Sequence, residues 1–204
     1  MKIIQINEIA KDPYTKNAII RNDFPGFKED YLVIHCLIKK YNPKTLIEIG
    51  TSSGLGTKVI CRAMGIKKYW WNKKKNINKV YSIDVPPGSD PNIIYPGKED
   101  GHPIRAGRKC FFSYTQLFGN SNTFDFSPFY PIEAWFIDGK HNYEYAKKDT
   151  IQALKSDPKL IMWHDLQIPE VEQAVVEVMD SLQDKYELYR VEGSRIAFAV
   201  LKNI

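Results

Sequence analysis

Residues 45–57, Thr-Leu-Ile-Glu-Ile-Gly-Thr-Ser-Ser-Gly-Leu-Gly-Thr, run from a short apolar stretch into three glycines and out into a helical pattern. That order specifies a strand, a tight loop and a helix start. Gly50, Gly54 and Gly56 let the backbone turn through positive φ and approach a ligand with no Cβ in the way. The helix that follows carries Leu55, Val59, Ile60, Ala63 and Met64 on one face and is closed by Gly65. It presents free N–H groups and the positive end of its dipole to the loop, so the segment predicts a small-ligand cradle at a strand end.

The same logic extends in both directions. Upstream, Tyr31, Ile34 and Ile38, with Leu32 and Cys36 alongside, recur at helical spacing over Lys28–Tyr41 until Asn42-Pro43 ends the helix. Downstream, residues 80–83 form a second strand ending at Asp84, Ala134–Ile137 a buried strand ending at Asp138-Gly139, and Leu160–Trp163 another ending at His164-Asp165. Helices are expected through Tyr143, Ala146, Ile151 and Leu154, and through Val171, Ala174, Val175, Val178, Met179 and Leu182, the latter with the spacing of a core-facing stripe. A further helix-to-strand passage is expected over residues 110–118. Residues 186–191 and 196–201 flank Glu192-Gly193-Ser194-Arg195 and read as a hairpin at the sheet edge.

Strands alternating with helices imply a doubly wound α/β domain with a mostly parallel sheet, to which the terminal hairpin adds an antiparallel member. The 204 residues fit one domain. Ligands of such sheets sit beyond the carboxyl ends of the strands, which gathers Glu48 to Gly50, Asp84, Asp138, His164 and Asp165 at one rim. Residues 1–27 read as an irregular leading segment, and residues 85–110, dense in proline and glycine, as a lid or binding loop. The 29 Lys and Arg against 24 Asp and Glu give a net charge of +5, too mild for the full basic footprint of a nucleic-acid binder. Cys36, Cys61 and Cys110 form no Cys-x-x-Cys pair, which points to a reducing, cytoplasmic setting. No apolar run approaches the ~18 residues of a membrane span.

The glycines follow the order Gly-x-x-x-Gly-x-Gly, so the dinucleotide fingerprint is not met. Asp84 is placed to accept both hydroxyls of a ribose, although it lies farther along the chain than the ~20 residues of the dinucleotide motif. Glu48 adds negative charge where a pyrophosphate is repelled and a cation is favoured. This combination favours S-adenosylmethionine, which carries a sulfonium and an ammonium.

Four segments carry a resemblance: residues 46–54 (Leu-Ile-Glu-Ile-Gly-Thr-Ser-Ser-Gly), 80–84 (Val-Tyr-Ser-Ile-Asp), 136–144 (Phe-Ile-Asp-Gly-Lys-His-Asn-Tyr-Glu) and 162–165 (Met-Trp-His-Asp). Together they resemble the class I S-adenosylmethionine-dependent methyltransferases, particularly the branch with the macrolide-sugar O-methyltransferases and the cephalosporin-hydroxylase-like proteins. The resemblance implies a Rossmann-like seven-stranded sheet with an antiparallel last strand, and O-methylation of a hydroxylated small molecule or sugar. It places Glu48, Gly50, Thr51, Ser52 and Gly54 along the methionine half of the cofactor, Asp84 at the ribose, Asn120 and Ser121 near the adenine, and Asp138 at the cofactor's edge. Many relatives have Gly-Asp-Ser where this chain has Gly119-Asn120-Ser121, so no charge meets the adenine here. It further implies Asp138 and Asp165 as ligands of Mg²⁺, with His141 or His164 as the base, and Asp138 counted among the catalytic residues.

Structural roles compete for these residues. Asp138-Gly139 also fits a turn, His141 a cap for the helix starting near Asn142, His164 a core histidine, and Asp165 a cap before Pro169. Two other functions remain open on the sequence: a nucleic-acid-binding or RNA-modifying protein using the basic, aromatic stretch at 67–79, and a fold relative that binds the cofactor without catalysis.

Overall fold

The computed structural model describes residues 1–9, 28–52, 54–66, 78–86 and 114–202. Most of residues 1–27, of the 67–79 stretch and of the expected lid at 85–110, together with the helical part of the 110–118 passage, therefore lie outside the described residues. In chain order the elements are β1 (Lys2–Gln5), α1 (Ile6–Ile9), α2 (Lys28–Tyr41), β2 (Thr45–Ile49), α3 (Leu55–Ala63), β3 (Lys79–Asp84) and β4 (Thr115–Phe118). They continue with β5 (Ala134–Ile137), α4 (Tyr143–Leu154), β6 (Leu160–Trp163), α5 (Pro169–Asp180), β7 (Tyr186–Glu192) and β8 (Ala197–Leu201).

One sheet holds eight strands in the order β1-β7-β8-β6-β5-β2-β3-β4. Only β8 runs against its neighbours, β6 and β7. The expected mostly parallel sheet with an antiparallel C-terminal strand is therefore present, with two differences. The hairpin is not at the edge: β8 is inserted between β6 and β7, consistent with the burial of Ala197 to Val200. The outermost place is taken by β1, an eighth strand paired in parallel with β7 inside the segment read as irregular. Lys2–Gln5 has three exposed residues of four and no buried one, so periodicity offered no signal and backbone pairing alone defines the strand.

Alternation along the strands sorts the core into two layers. Leu46, Ala134, Phe136, Leu160 and Met162 face one side and pack against Val33, Ile34, Leu37 and Ile38 of α2 and Val59, Ile60 and Ala63 of α3. Ile47, Ile49, Trp135, Ile137, Ile161 and Trp163 face the other and pack against Ala146 and Ala153 of α4 and Val171, Ala174, Val175 and Met179 of α5. Glu48 belongs by parity to the α2–α3 layer, which puts a carboxyl inside an apolar stack. Cys36 and Cys61 are buried thiols outside any disulfide. Among the described residues no helix is long and apolar enough to cross a membrane.

From β2 the chain winds outward through β3 and β4, and from β5 it winds the other way through β6. The crossover leaves a topological switch point between the adjacent strands β2 and β5, where a crevice opens beyond their carboxyl ends.

Candidate active site

At the switch point the ends of β2 and β5 touch. The Asp138 N–H donates to the Ile49 carbonyl at 2.9 Å, and the Gly50 N–H to the Ile83 carbonyl at 2.9 Å. Gly50 sits at φ 92, and a Cβ on it would lie 2.0 Å from the Asp138 carbonyl oxygen. Ser52 at φ 44 and Gly54 at φ 76 complete the left-handed turns that lift the loop over the start of α3. These conformations leave a cavity of about 750 Å³, within the range that holds a small cofactor and part of a second ligand.

Glu48 forms the floor and is 1 % exposed. Its Oε2 accepts from the hydroxyls of Thr57 and Ser82, Thr51 pairs with Ser82 at 2.6 Å, and the Gln116 amide donates to Thr51 Oγ1 at 3.0 Å. Gly56 is needed on the other side, since a Cβ there would come within 2.6 Å of Glu48 Oε1. Burial pushes the Glu48 carboxyl up to about 8 against the opposing effect of its two hydroxyl donors. Residue type gives Glu48 a negative charge toward the ligand, whereas its burial favours the neutral carboxylic acid.

A stability consequence follows from the sign of that shift. The folded-state value lies above the ordinary 4.5, so this group favours the fold most below about 4.5, and its contribution declines as pH rises toward 8. Wild-type thermal stability should fall between pH 5 and 8.5 relative to Glu48→Gln. Melting curves of the two proteins that stay parallel across that interval would contradict a buried, proton-binding Glu48.

Along the next wall, Asp84 Oδ2 accepts the Ser52 N–H at 2.9 Å and Oδ1 accepts the Val85 N–H at 2.8 Å. Both oxygens are thus held by backbone, which fixes the carboxylate as a two-pronged acceptor at the end of β3. Beyond β4, Asn120 Oδ1 accepts the Asn122 N–H at 3.0 Å, and Asn120 and Ser121 line the cavity.

Opposite the glycines, His164 connects three carboxylates. Its Nδ1 lies 2.9 Å from Asp165 Oδ2 and 3.2 Å from Asp138 Oδ1, and its Nε2 lies 3.3 Å from Asp30 Oδ2. Burial would depress the imidazole, but the interactions with Asp138, Asp165 and Asp30 outweigh it and push it up to about 11. Carboxylates near both ring nitrogens favour the protonated form of His164, which works against the base role expected for it. Burial raises the Asp165 carboxyl, and its bonds with His164 and Gln167 more than reverse this, leaving it well below the usual range.

His141 is different. Asn142 caps α4, its side chain accepting the Tyr145 N–H at 3.0 Å, so His141 is released from capping. Its Nε2 lies 3.4 Å from Asp138 Oδ1 and 3.2 Å from Asp165 Oδ2, and the hydrogen bond with Asp138 raises its proton affinity. Asp165 likewise does not cap α5, whose first flanking residue is Ile168; it accepts from Gln167 at 2.7 Å instead. Ligating atoms of Asp138, His141 and Asp165 all lie within 4.8 Å of one another.

The sequence matches no protein-family model and no curated protein. Solved structures do resemble it. The O-methyltransferase TomG of Streptomyces achromogenes, solved with SAM, aligns over 96 % of this chain and 88 % of its own, with a TM-score of 0.56 and 12 % identity. An O-methyltransferase of Bacillus cereus in complex with SAH aligns over 97 % and 90 %, with a TM-score of 0.55 and 12 % identity. Cofactor-bound Rv0187 from MTB aligns over 94 % and 88 %, with a TM-score of 0.62 and 12 % identity. The chain shares the α/β fold of these methyltransferase structures.

Within this methyltransferase fold the structure brings together every residue singled out from the sequence: Glu48, Gly50, Thr51, Ser52, Asp84, Asn120, Ser121, Asp138, His141, His164 and Asp165 line one cavity, and Gly54 anchors its loop. It adds Tyr31 and Arg195 to the lining and Asp30 behind it. Tyr31 reads as one of the apolar residues of its helix and Arg195 as a turn residue, and Asp30 carries no local signal, so only their meeting in space identifies them.

Proposed function

We propose that the protein is an S-adenosylmethionine-dependent methyltransferase acting on a hydroxyl of a small molecule or sugar, assisted by a divalent ion such as Mg²⁺. The observation that carries this is the convergence, in one cavity at the switch point, of a glycine cradle, a two-pronged acceptor at Asp84 and the Asp138–His141–Asp165 cluster across the rim. In this reading Gly50, Thr51, Ser52 and Gly54 hold the methionine half of the donor above Glu48, Asp84 takes the ribose hydroxyls, and Asn120 and Ser121 meet the adenine.

Methyl transfer is an in-line displacement: the methyl–sulfur bond breaks as the oxygen–methyl bond forms, sulfur keeps the electron pair, and the hydroxyl proton must leave. Alignment can contribute up to ~7–11 kcal/mol and a general base about 10²–10⁴-fold. His141 opens into the cavity and is placed to take the proton, with Asp138 and Asp165 stabilising the imidazolium that results. The donor set also fits a hard divalent ion, which two carboxylates and several waters satisfy. Asp138 and Asp165 would hold it, and when bound it would make the acceptor hydroxyl more acidic.

Calorimetric titration with S-adenosylmethionine and with S-adenosylhomocysteine tests the cofactor; absence of binding at millimolar ligand overturns the proposal. Turnover should fall at least about tenfold in EDTA, in line with the share a metal or base supplies, and return with Mg²⁺. Full activity in EDTA removes the metal and leaves His141 as the proton acceptor.

A further inference from the structure

The two oxygens of Asp165 have different neighbours. Oδ2 faces the acid cluster, 3.2 Å from His141 Nε2 and 2.9 Å from His164 Nδ1. Oδ1 faces the framework: it accepts from Gln167 Nε2 at 2.7 Å and lies 3.4 Å from Arg195 Nη1. The backbone beneath is fixed as well. Asp165 sits at φ 56, a left-handed conformation that few residues other than glycine, asparagine and aspartate adopt. The Leu166 N–H donates to the Arg195 carbonyl at 3.1 Å and the Ile168 N–H to the Asp165 carbonyl at 2.9 Å, which pins the turn on both sides. With the main chain held, only rotation of the Asp165 side chain is left to settle. A short amide bond to a charged oxygen is a strong restraint on that rotation.

Gln167 is the removable part of this arrangement, because it is exposed whereas Asp165 is 7 % exposed. Its consequence depends on how many oxygens a carboxylate can give to an ion. Ca²⁺ takes roughly 6–8 oxygen ligands in a flexible shell and accepts both oxygens of one carboxylate. Mg²⁺ demands near-octahedral geometry at about 2.0–2.1 Å, with single oxygens and several waters. An Asp165 whose Oδ1 is committed to Gln167 has one oxygen to give, which suits the smaller ion and withholds a ligand from Ca²⁺.

We propose that Gln167 is a positioning residue that sets cation specificity: by occupying Asp165 Oδ1 it restricts this carboxylate to one-oxygen coordination and favours a small octahedral divalent ion over Ca²⁺. This rests on the divalent-ion reading above, with Asp138 and Asp165 as the ligands. Gln167 acts through Asp165 and touches neither the ion nor the reacting atoms.

The test measures ion binding to the full chain, without turnover. Mn²⁺, which also favours octahedral oxygen sites, is the probe; its unbound concentration is read by electron paramagnetic resonance, and Mg²⁺ and Ca²⁺ are ranked by the Mn²⁺ they displace. Gln167→Met, similar in length but with no donor, should raise the affinity for Ca²⁺ relative to Mg²⁺ by about tenfold, the order of one hydrogen bond to a charged group. A merely structural Gln167 would weaken all three ions by the same factor. Gln167→Asn, whose amide falls one carbon short, should shift the ratio in the same direction and serves if Gln167→Met fails to fold. An unchanged ratio, or Ca²⁺ that displaces no Mn²⁺ from the variants, overturns the role of Gln167 alone. Asp138→Asn should abolish Mn²⁺ binding, and retention would place the ion elsewhere and overturn the proposal. A wild type that binds none of the three ions at millimolar concentration overturns it together with the metal part of the proposed function. Titration of the same sample with S-adenosylhomocysteine judges the methyltransferase reading separately.

Discussion

Gly50→Ala is expected to abolish S-adenosylmethionine binding and to lower the melting temperature by about 10 °C, a loss of roughly 3–5 kcal/mol in a chain of this length. Two separate effects combine. At φ 92 any L side chain is strained, at about 1–3 kcal/mol. The Cβ would also lie 2.0 Å from the Asp138 carbonyl oxygen and 2.6 Å from its carbon, both backbone atoms. Neither side can yield, because Asp138 donates to Ile49 and Gly50 to Ile83, each at 2.9 Å. Relief requires the ends of β2 and β5 to part, which displaces the Thr51–Gly54 loop and the Asp138 side of the cavity together. Gly65→Ala is the matched control: φ is +67 there, but a Cβ would meet nothing within 4 Å, so the cost is limited to about 1 kcal/mol of backbone strain and cofactor binding is retained. Calorimetric melting and ligand titration of the two variants separate the effects. Wild-type affinity in Gly50→Ala would mean that the contact between the two strand ends does not shape the site.

The difference between these glycines also shows what the sequence could and could not convey. Local rules placed most of the fold. Lys28–Tyr41 is bounded as expected because its apolar spacing and Asn42-Pro43 act within a few residues, and β2, β5 and β6 are short apolar runs ending in polar residues. The switch-point rule then collected the rim residues into one cavity, since it depends only on strand direction and order. Four features escaped because their causes lie elsewhere in the chain. β1 has no buried face and exists through pairing with β7. β8 leaves the edge because its buried stretch completes the ladder between β6 and β7. The raised proton affinities of Glu48 and His164 depart from what residue type suggests, because burial governs the first and three surrounding carboxylates the second. The Asp30–Arg195 pair spans 165 residues, and no local pattern announces such a contact.

That pair supports the second large prediction. Asp30 is 4 % exposed and accepts from Ser194 Oγ at 2.9 Å and from Arg195 N, Nε and Nη2 at 2.8, 2.9 and 2.7 Å, with His164 Nε2 at 3.3 Å. Burial alone would raise its carboxyl, but the bonds from His164 and Arg195 hold it down at about 2. Asp30→Ala would remove the contact at Nε2 of the buried His164 and the three hydrogen bonds that Arg195 donates to Asp30. Removing one member of a buried charge network costs about 3–5 kcal/mol, so the melting temperature should again fall by roughly 10 °C. Asp30→Asn keeps an acceptor for Ser194 and the Arg195 N–H and should lose about half as much. The pH dependence has a definite sign. With a depressed folded-state value, Asp30 stabilises the fold above about pH 4, and the gap between wild type and Asp30→Ala should close as pH falls toward 2. Function divides the effect further, because Asp30 contacts Ser194, Arg195 and His164, on the Asp138–Asp165 side of the cavity. Affinity for S-adenosylmethionine should stay within about threefold while kcat drops by about 10²-fold, the signature of lost alignment on the acceptor side. Equal losses in cofactor affinity and kcat would instead make Asp30 a support for the whole domain, with no bias toward the half of the cavity where His141, Asp138 and Asp165 meet.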